Sequence, residues 1–126
     1  MSLNIIQEAK RCLHCKQMFC RSGCPIHTPI PDMISAFLAG DIDKAGSMLF
    51  ENNPLSMICS LICDHENQCE GHCILNKKNA PIQISCIEHY ISESYFAKLE
   101  IKKIKRNGKK VGIIGSGPAG ITIAII

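Results

Sequence analysis

The stretch Cys12-Leu-His-Cys15-Lys-Gln-Met-Phe-Cys20-Arg-Ser-Gly-Cys24-Pro25 decides how this 126-residue chain is read. A second block answers it, Cys59-x3-Cys63-x5-Cys69-x3-Cys73, so eight of the nine cysteines fall in two groups. Between the groups lies a helical stretch. Packing alone gives no reason for so many thiols in so short a chain.

Composition narrows what they can hold. From Met1 the chain runs through Asn4, Gln7, Glu8, Lys10 and Arg11, with no basic n-region leading into an apolar run. No secretory signal is read there. Apolar runs fall short of the ~20 residues that span a bilayer. The expectation is a soluble, cytoplasmic protein with no membrane partner, and in that compartment thiols stay reduced. Nine cysteines would also leave one over in an all-disulfide scheme. Structural zinc and iron–sulfur clusters remain. Four Phe, two Tyr and no Trp make a core light in large side chains, the kind that gains from inorganic staples. A net charge of +3 does not suggest nucleic-acid binding. Lys98, Lys102, Lys103, Lys105, Arg106, Lys109 and Lys110 crowd one short stretch, which reads as a solvated linker rather than a phosphate-binding patch.

Along the chain, residues 2–11 suggest a short helix with Leu3, Ile6 and Ile5 inward, and 12–25 a loop wrapped around something. Thr28, Pro29, Pro31 and Asp32 give a helix-start signal: a capping hydroxyl, prolines in the first turn, an acid facing the dipole. Met33, Ile34, Phe37 and Leu38 follow at helical spacing. Gly40 ends that helix and Asp41 caps the next, whose stripe is Ile42, Ala45 and Leu49. After Asn53-Pro54, Leu55 to Leu61 suggests a helix with Met57, Ile58, Leu61 and Ile62 inward. Residues 63–73 read as loop, and Asn76 to Asn79 as a polar turn. The longest helix is expected from Ser85 to Ile101, with Ile87, Ile91, Ser94, Tyr95 and Lys98 on one side and Tyr90 beside them. The fold class is thus mainly α over 1–106, with cysteine-rich loops. After Asn107-Gly108, over 107–126, Lys110 to Ile114 reads as a buried strand leading into Gly115-Ser-Gly-Pro-Ala-Gly120 and an apolar run.

Spacing separates zinc from iron. Zinc ribbons take ligands as two Cys-x2-Cys pairs, because a tight turn presents two thiolates to one tetrahedral ion. Only Cys12 and Cys15 make such a pair; the second block has gaps of three, five and three. In two-cluster bacterial ferredoxins, three close cysteines bind one cubane and a fourth, followed by Pro, ligates the other. Cys24-Pro25 retains that grouping, although the preceding gap is longer. By that analogy Cys12, Cys15 and Cys20 hold one cluster, Cys24 crosses to the other, and the second block completes both.

These residues, with "NNPL" before the second block, "CEGHC" at Cys69 to Cys73, "API-x-I" and "GIIGSGPAG", resemble a known family over nearly the whole chain. It is the N-terminal helical ferredoxin domain of the glutamate synthase small subunit, shared with the dihydropyrimidine dehydrogenase N-terminus and related NADPH-linked flavoproteins. The resemblance implies one [4Fe-4S] cluster on Cys12, Cys15, Cys20 and Cys73. It implies a second on Cys24, Cys63, Cys69 and an oxygen ligand that falls at Glu88, which would favour the oxidised state over a neutral donor. The residues alone offer a rival role, a capping box in which Glu88 bonds the backbone N–H of Ser85; the resemblance tips the reading to the ligand. Cys59 and Cys86 are then spare, Cys59 as a small buried hydrophobe. None of His14, His27, His65, His72 or His89 is assigned as a ligand, and Met18 and Phe19 read as an apolar lid.

The glycine-rich end has meaning only in its strand–turn–helix context. There Gly115 allows the tight turn, Gly117 a close approach to a pyrophosphate, and Gly120 close packing. The helix N-terminus supplies N–H groups and the positive dipole end. Pro118-Ala119 resembles FAD-binding flavoproteins more than plain dehydrogenases. The ribose-binding acid expected about twenty residues further on is not in the sequence. One strand and a short helix make no parallel sheet, so residues 108–126 are expected either to be disordered or to dock as an apolar tail.

The function expected from the resemblance is an electron-transfer module. In its full-length relatives NADPH reduces FAD, and electrons leave through two clusters to a partner, a glutamate synthase large subunit or a pyrimidine-reducing domain. No hydride-transfer site is read in the chain itself, and no turnover is expected of it alone. A structural zinc module and an assembly domain are the alternatives.

Overall fold

The computed structural model of the protein describes residues 4–100, 105 and 107–126. Among these it has seven helices, a 3-10 turn at Ile74–Lys78 and no strand. The helices are α1 (Ile5–Ala9), α2 (Phe19–Gly23), α3 (Ile30–Leu38), α4 (Ile42–Asn52), α5 (Ser56–Ile62), α6 (Ile84–Phe96) and α7 (Pro118–Ile125).

The core is a hairpin, α3 and α4, covered by α6, which also carries α5 on its other flank. Gly40 ends α3 in the left-handed region at φ +83°, where only glycine is free of strain. The Asp41 side chain accepts the backbone N–H of Lys44 at 3.0 Å and starts α4. Met33, Ile34, Leu49, Ile84, Ile87 and Ile91 are sealed from solvent. Each such aliphatic is worth about 1.5–3 kcal/mol of burial. Phe50, Tyr95 and Phe96 meet edge-on or tilted at the far end.

Several local expectations change. The first cysteine loop contains a turn of helix, α2, and α1 buries Glu8 and Ala9 while Ile6 is exposed. Leu3 and Ile101 lie outside the described residues. Thr28 does not cap α3, whose N-cap is Pro29; its hydroxyl lies 3.3 Å from Cys24 Sγ. Helix α6 begins at Ile84 and is capped at Ala97, so its inward face is Ile84, Ile87, Glu88, Ile91 and Ser92, with Tyr90 outside. In α5 the expected stripe is reversed. Ile58, Leu61 and Ile62 are exposed, and Ser56 and Ser60 are buried. Small residues let α5 approach α6 closely, and the Ser92 hydroxyl donates to Ser56 Oγ at 3.1 Å; a bulky stripe would hold the helices apart. Residues 110–114 form no strand and are exposed, as expected of an extended segment without a pairing partner.

The α4–α6 contact is tightest at Gly46, where an added Cβ would stand 2.4 Å from the Tyr95 side chain. Helix propensity favours Gly46→Ala by about 1 kcal/mol. Overpacking opposes it at roughly 1–3 kcal/mol. Denaturant unfolding is expected to show net destabilisation; a stabilised variant would contradict this packing.

Candidate metal centres

Cys12, Cys15, Cys20 and Cys73 line one narrow cavity, three from the first loop and one from the second. Its other walls are almost wholly apolar: Leu13, Met18, Phe19, Ile34, Ile82 and Ile84 among them. Met18 and Phe19 thus stand over this cavity, Phe19 being 40% exposed. Cys24 takes no part in it. It lines a second cavity of ≈ 470 Å³ with Cys59, Cys63, Cys69 and Glu88. Ile30 borders both and is 2% exposed.

The electrostatics repeat that grouping. Burial pushes the Cys20 thiol up to about 11, helped by Cys12 and Cys73. Burial also raises Cys12, with Cys15 and Cys73 adding to it. In the second group burial lifts Cys63 to about 11, with Cys59, Glu88 and Cys24 contributing. Cys69 rises to about 12 through burial, then Glu70, Glu88 and Cys24. Burial brings Glu88 up to about 7. Clustered thiols and a carboxyl held in apolar walls are costly to ionise without a cation beside them. Thiolate ligation removes that cost, because the metal displaces the protons. All nine cysteines are free thiols. Among the described residues no three of these donors are gathered closely enough for a single metal ion; four-cysteine sets spread around a cavity suit the larger iron–sulfur clusters instead.

The two loops are pinned to each other and to α6. At Gly23 an added Cβ would meet the His72 ring at 2.5 Å, so the first loop's backbone lies directly on the residue before Cys73. Ahead of Cys12, Arg11 donates to Glu8 and to the carbonyls of Ala80 and Pro81. Glu8 in turn accepts the backbone N–H of Gln83, the residue that caps α6, at 3.0 Å. The capping-box reading of Glu88 is overturned at the same place. Ser85 lies inside the helix, and its N–H and hydroxyl both donate to Glu70 Oε1 at 2.8 Å. Glu88 is left facing the second cavity. Sequence reasoning missed Glu8, Arg11 and Glu70; for Glu70 the available signal was an acid directly following a cysteine of the second block.

Cys59 accepts a hydrogen bond from Asn53 Nδ2 at 3.1 Å. Nitrogen Nδ1 of His14 contacts Ser35, that of His27 the Arg21 carbonyl, that of His72 the Gln68 carbonyl and that of His89 Ser60. At the C-terminal end Gly115 has φ +108°, and an added Cβ on Gly120 would stand 2.3 Å from the Gly115 carbonyl oxygen. The turn is thus closed by its glycines. Pro118 and Ala119, with Thr122 and Ile123, border the second cavity, but α7 buries none of its residues. Among the described residues no helix is long and apolar enough to cross a membrane.

Residues 1–100 match the family described as dihydropyrimidine dehydrogenase domain II, 4Fe-4S cluster. The chain belongs to that family of helical 4Fe-4S domains. It is also 36% identical over 120 residues to the glutamate synthase [NADPH] small chain of Escherichia coli, covering 93% of this chain and 25% of that protein. With the corresponding chain of Halomonas elongata the identity is 36% over 122 residues, 94% of this chain and 26% of the relative. Similarity to the NAD-dependent dihydropyrimidine dehydrogenase subunit PreT of Escherichia coli is 31% over 128 residues, 98% of this chain and 31% of the relative. The chain thus spans about a quarter to a third of the length of these curated relatives.

The second loop has little freedom to adapt. A Cβ on Gly71 would stand 1.9 Å from the Glu66 carbonyl oxygen, backbone against backbone. Gly71→Ala is expected to cost at least the roughly 1–3 kcal/mol of an overpacked site. Gly112→Ala, in open space, is the control. Equal thermal stability of the two variants would contradict the loop's geometry.

Proposed function

We propose that residues 1–106 form a two-cluster electron-transfer domain, and that 107–126 begin an FAD-binding Rossmann-like unit. The carrying observation is the partition of the cysteines: Cys12, Cys15, Cys20 and Cys73 around one cavity, Cys24, Cys59, Cys63 and Cys69 with Glu88 around the other. In this reading those residues hold two [4Fe-4S] clusters, with Glu88 as the oxygen ligand of the second and Cys59 spare. When bound, the clusters accept and release single electrons. The chain supplies burial and spacing for them. Ile30 borders both sites, and Met18 and Phe19 shield the first from water.

The glycine turn supports the flavin part. Gly115 and Gly120 need their lack of a side chain, and Gly117, at the N-cap of α7, has open space around its Cα. A pyrophosphate would be received there by the backbone N–H groups. The full-length protein would then take electrons from NADPH through FAD and pass them to a glutamate synthase large-subunit-like or other redox partner in the cytoplasm. A pyrimidine-reducing assembly is the second reading, favoured by the similarity to the PreT subunit. Turnover is not expected of this segment alone.

Metal analysis of anaerobically purified protein tests the class: iron with equal acid-labile sulfide is expected, and zinc without iron would overturn the reading. Reductive titration with EPR should show both clusters accepting electrons; silence at every accessible potential would leave an assembly domain. Acid adds a third test. Below about 7 the Glu88 carboxyl carries a proton that metal must displace. Iron retention in the second site against a chelator should therefore rise with pH and lose that component above about 7. Glu88→Gln is expected to flatten that part of the profile. An unchanged profile would exclude Glu88 as a ligand.

A further inference from the structure

Helix α6 carries Glu88 into the second cavity, so whatever fixes its first turn fixes where that carboxylate points. Ser85 stands three residues before Glu88, about one turn away and on the same face. Both polar groups of Ser85, the backbone N–H and the hydroxyl, donate to one oxygen of Glu70, at 2.8 Å each. Glu70 directly follows Cys69, which lines the same cavity. One half-buried carboxylate therefore ties the thiol side of the second site to the helix that brings its oxygen donor. Resting on the two-cluster reading above, we propose that Glu70 is a positioning residue for the second metal centre: it locks the Cys69 loop to α6 so that Cys69 and Glu88 face the same cavity.

The first site does not use the Glu70 side chain. Cys12, Cys15 and Cys20 sit on a loop anchored through Arg11 and Glu8, which reach α6 two residues earlier, at Gln83, and Cys73 is held through the backbone carbonyl of Glu70, at 3.0 Å, which side-chain substitution leaves in place. Loss of Glu70 should consequently be felt at one centre. An N–H and a hydroxyl ask only for an acceptor oxygen, which Gln supplies as well as Glu. The charge is dispensable to the device, and the acceptor is not.

The test compares wild type, Glu70→Ala, Glu70→Gln and Ser85→Ala, purified anaerobically with their clusters. Iron and sulfide per chain and EPR spectra after reduction are measured, with signals assigned through Cys15→Ser and Cys63→Ser. The expected result is a second-centre signal shifted or lost in Glu70→Ala, shifted less in Ser85→Ala, and restored in Glu70→Gln. The first centre's signal stays as in wild type. The proposal is overturned if Glu70→Ala matches wild type, if both signals fail together, or if Glu70→Gln is as defective as Glu70→Ala. Should Glu70→Ala not fold, Ser85→Ala decides: a second-centre signal identical to wild type overturns the proposal. Wild-type protein without iron would instead overturn the two-cluster reading beneath it.

Discussion

Everything in this domain depends on the crossing of two cysteines. Cys73 leaves the second loop to join the thiols of the first, and Cys24 leaves the first to face those of the second. In the two-cluster reading, neither loop closes its own site. The thiols of Cys20, Cys63 and Cys69, driven up to about 11 and 12, resist ionisation without metal beside them. In the two-cluster reading, metal binding contributes to folding free energy, as in other small metallo-domains. The sealed aliphatics lie along α3, α4 and α6, and Ile30, Ile34 and Ile84 among them also wall the first cavity.

Helix α6 is the element that both loops use. At its first turn Glu8 holds Gln83 and Glu70 holds Ser85, one carboxylate arriving from just ahead of Cys12 and the other from just behind Cys69. These are charge-assisted bonds to backbone donors that a helix start would otherwise leave unpaired. The Gly23–His72 contact adds a direct join between the loops. The loops thus touch each other, while each has its own carboxylate on α6.

The sequence made the chemistry legible and the packing less so. Cysteine spacing and Cys24-Pro25 separated iron from zinc, because ligand spacing is a local property. The hairpin was legible for the same reason: Gly40 and Asp41 act on their own neighbours. Helix faces were harder. Periodicity pointed Ile58, Leu61 and Ile62 inward, but the α5–α6 approach selects the small face of Ser56 and Ser60. Thr28 and Glu88 looked like caps, and each proved to lie beside a cysteine site, Thr28 against Cys24 and Glu88 in the second cavity. Capping residues and site residues share one vocabulary of short polar side chains, so only the fold tells them apart. The expected strand at 110–114 failed because a strand is defined by its partner.

The most direct test of this account is the ligand crossing itself. Iron and EPR signals would be compared in Cys73→Ser and Cys63→Ser, two variants of the same loop. The account predicts that Cys73→Ser abolishes the signal that Cys15→Ser also abolishes, while Cys63→Ser abolishes the other, shared with Cys24→Ser. If Cys73→Ser and Cys63→Ser remove the same signal, each block serves its own centre, and the interleaved account is wrong.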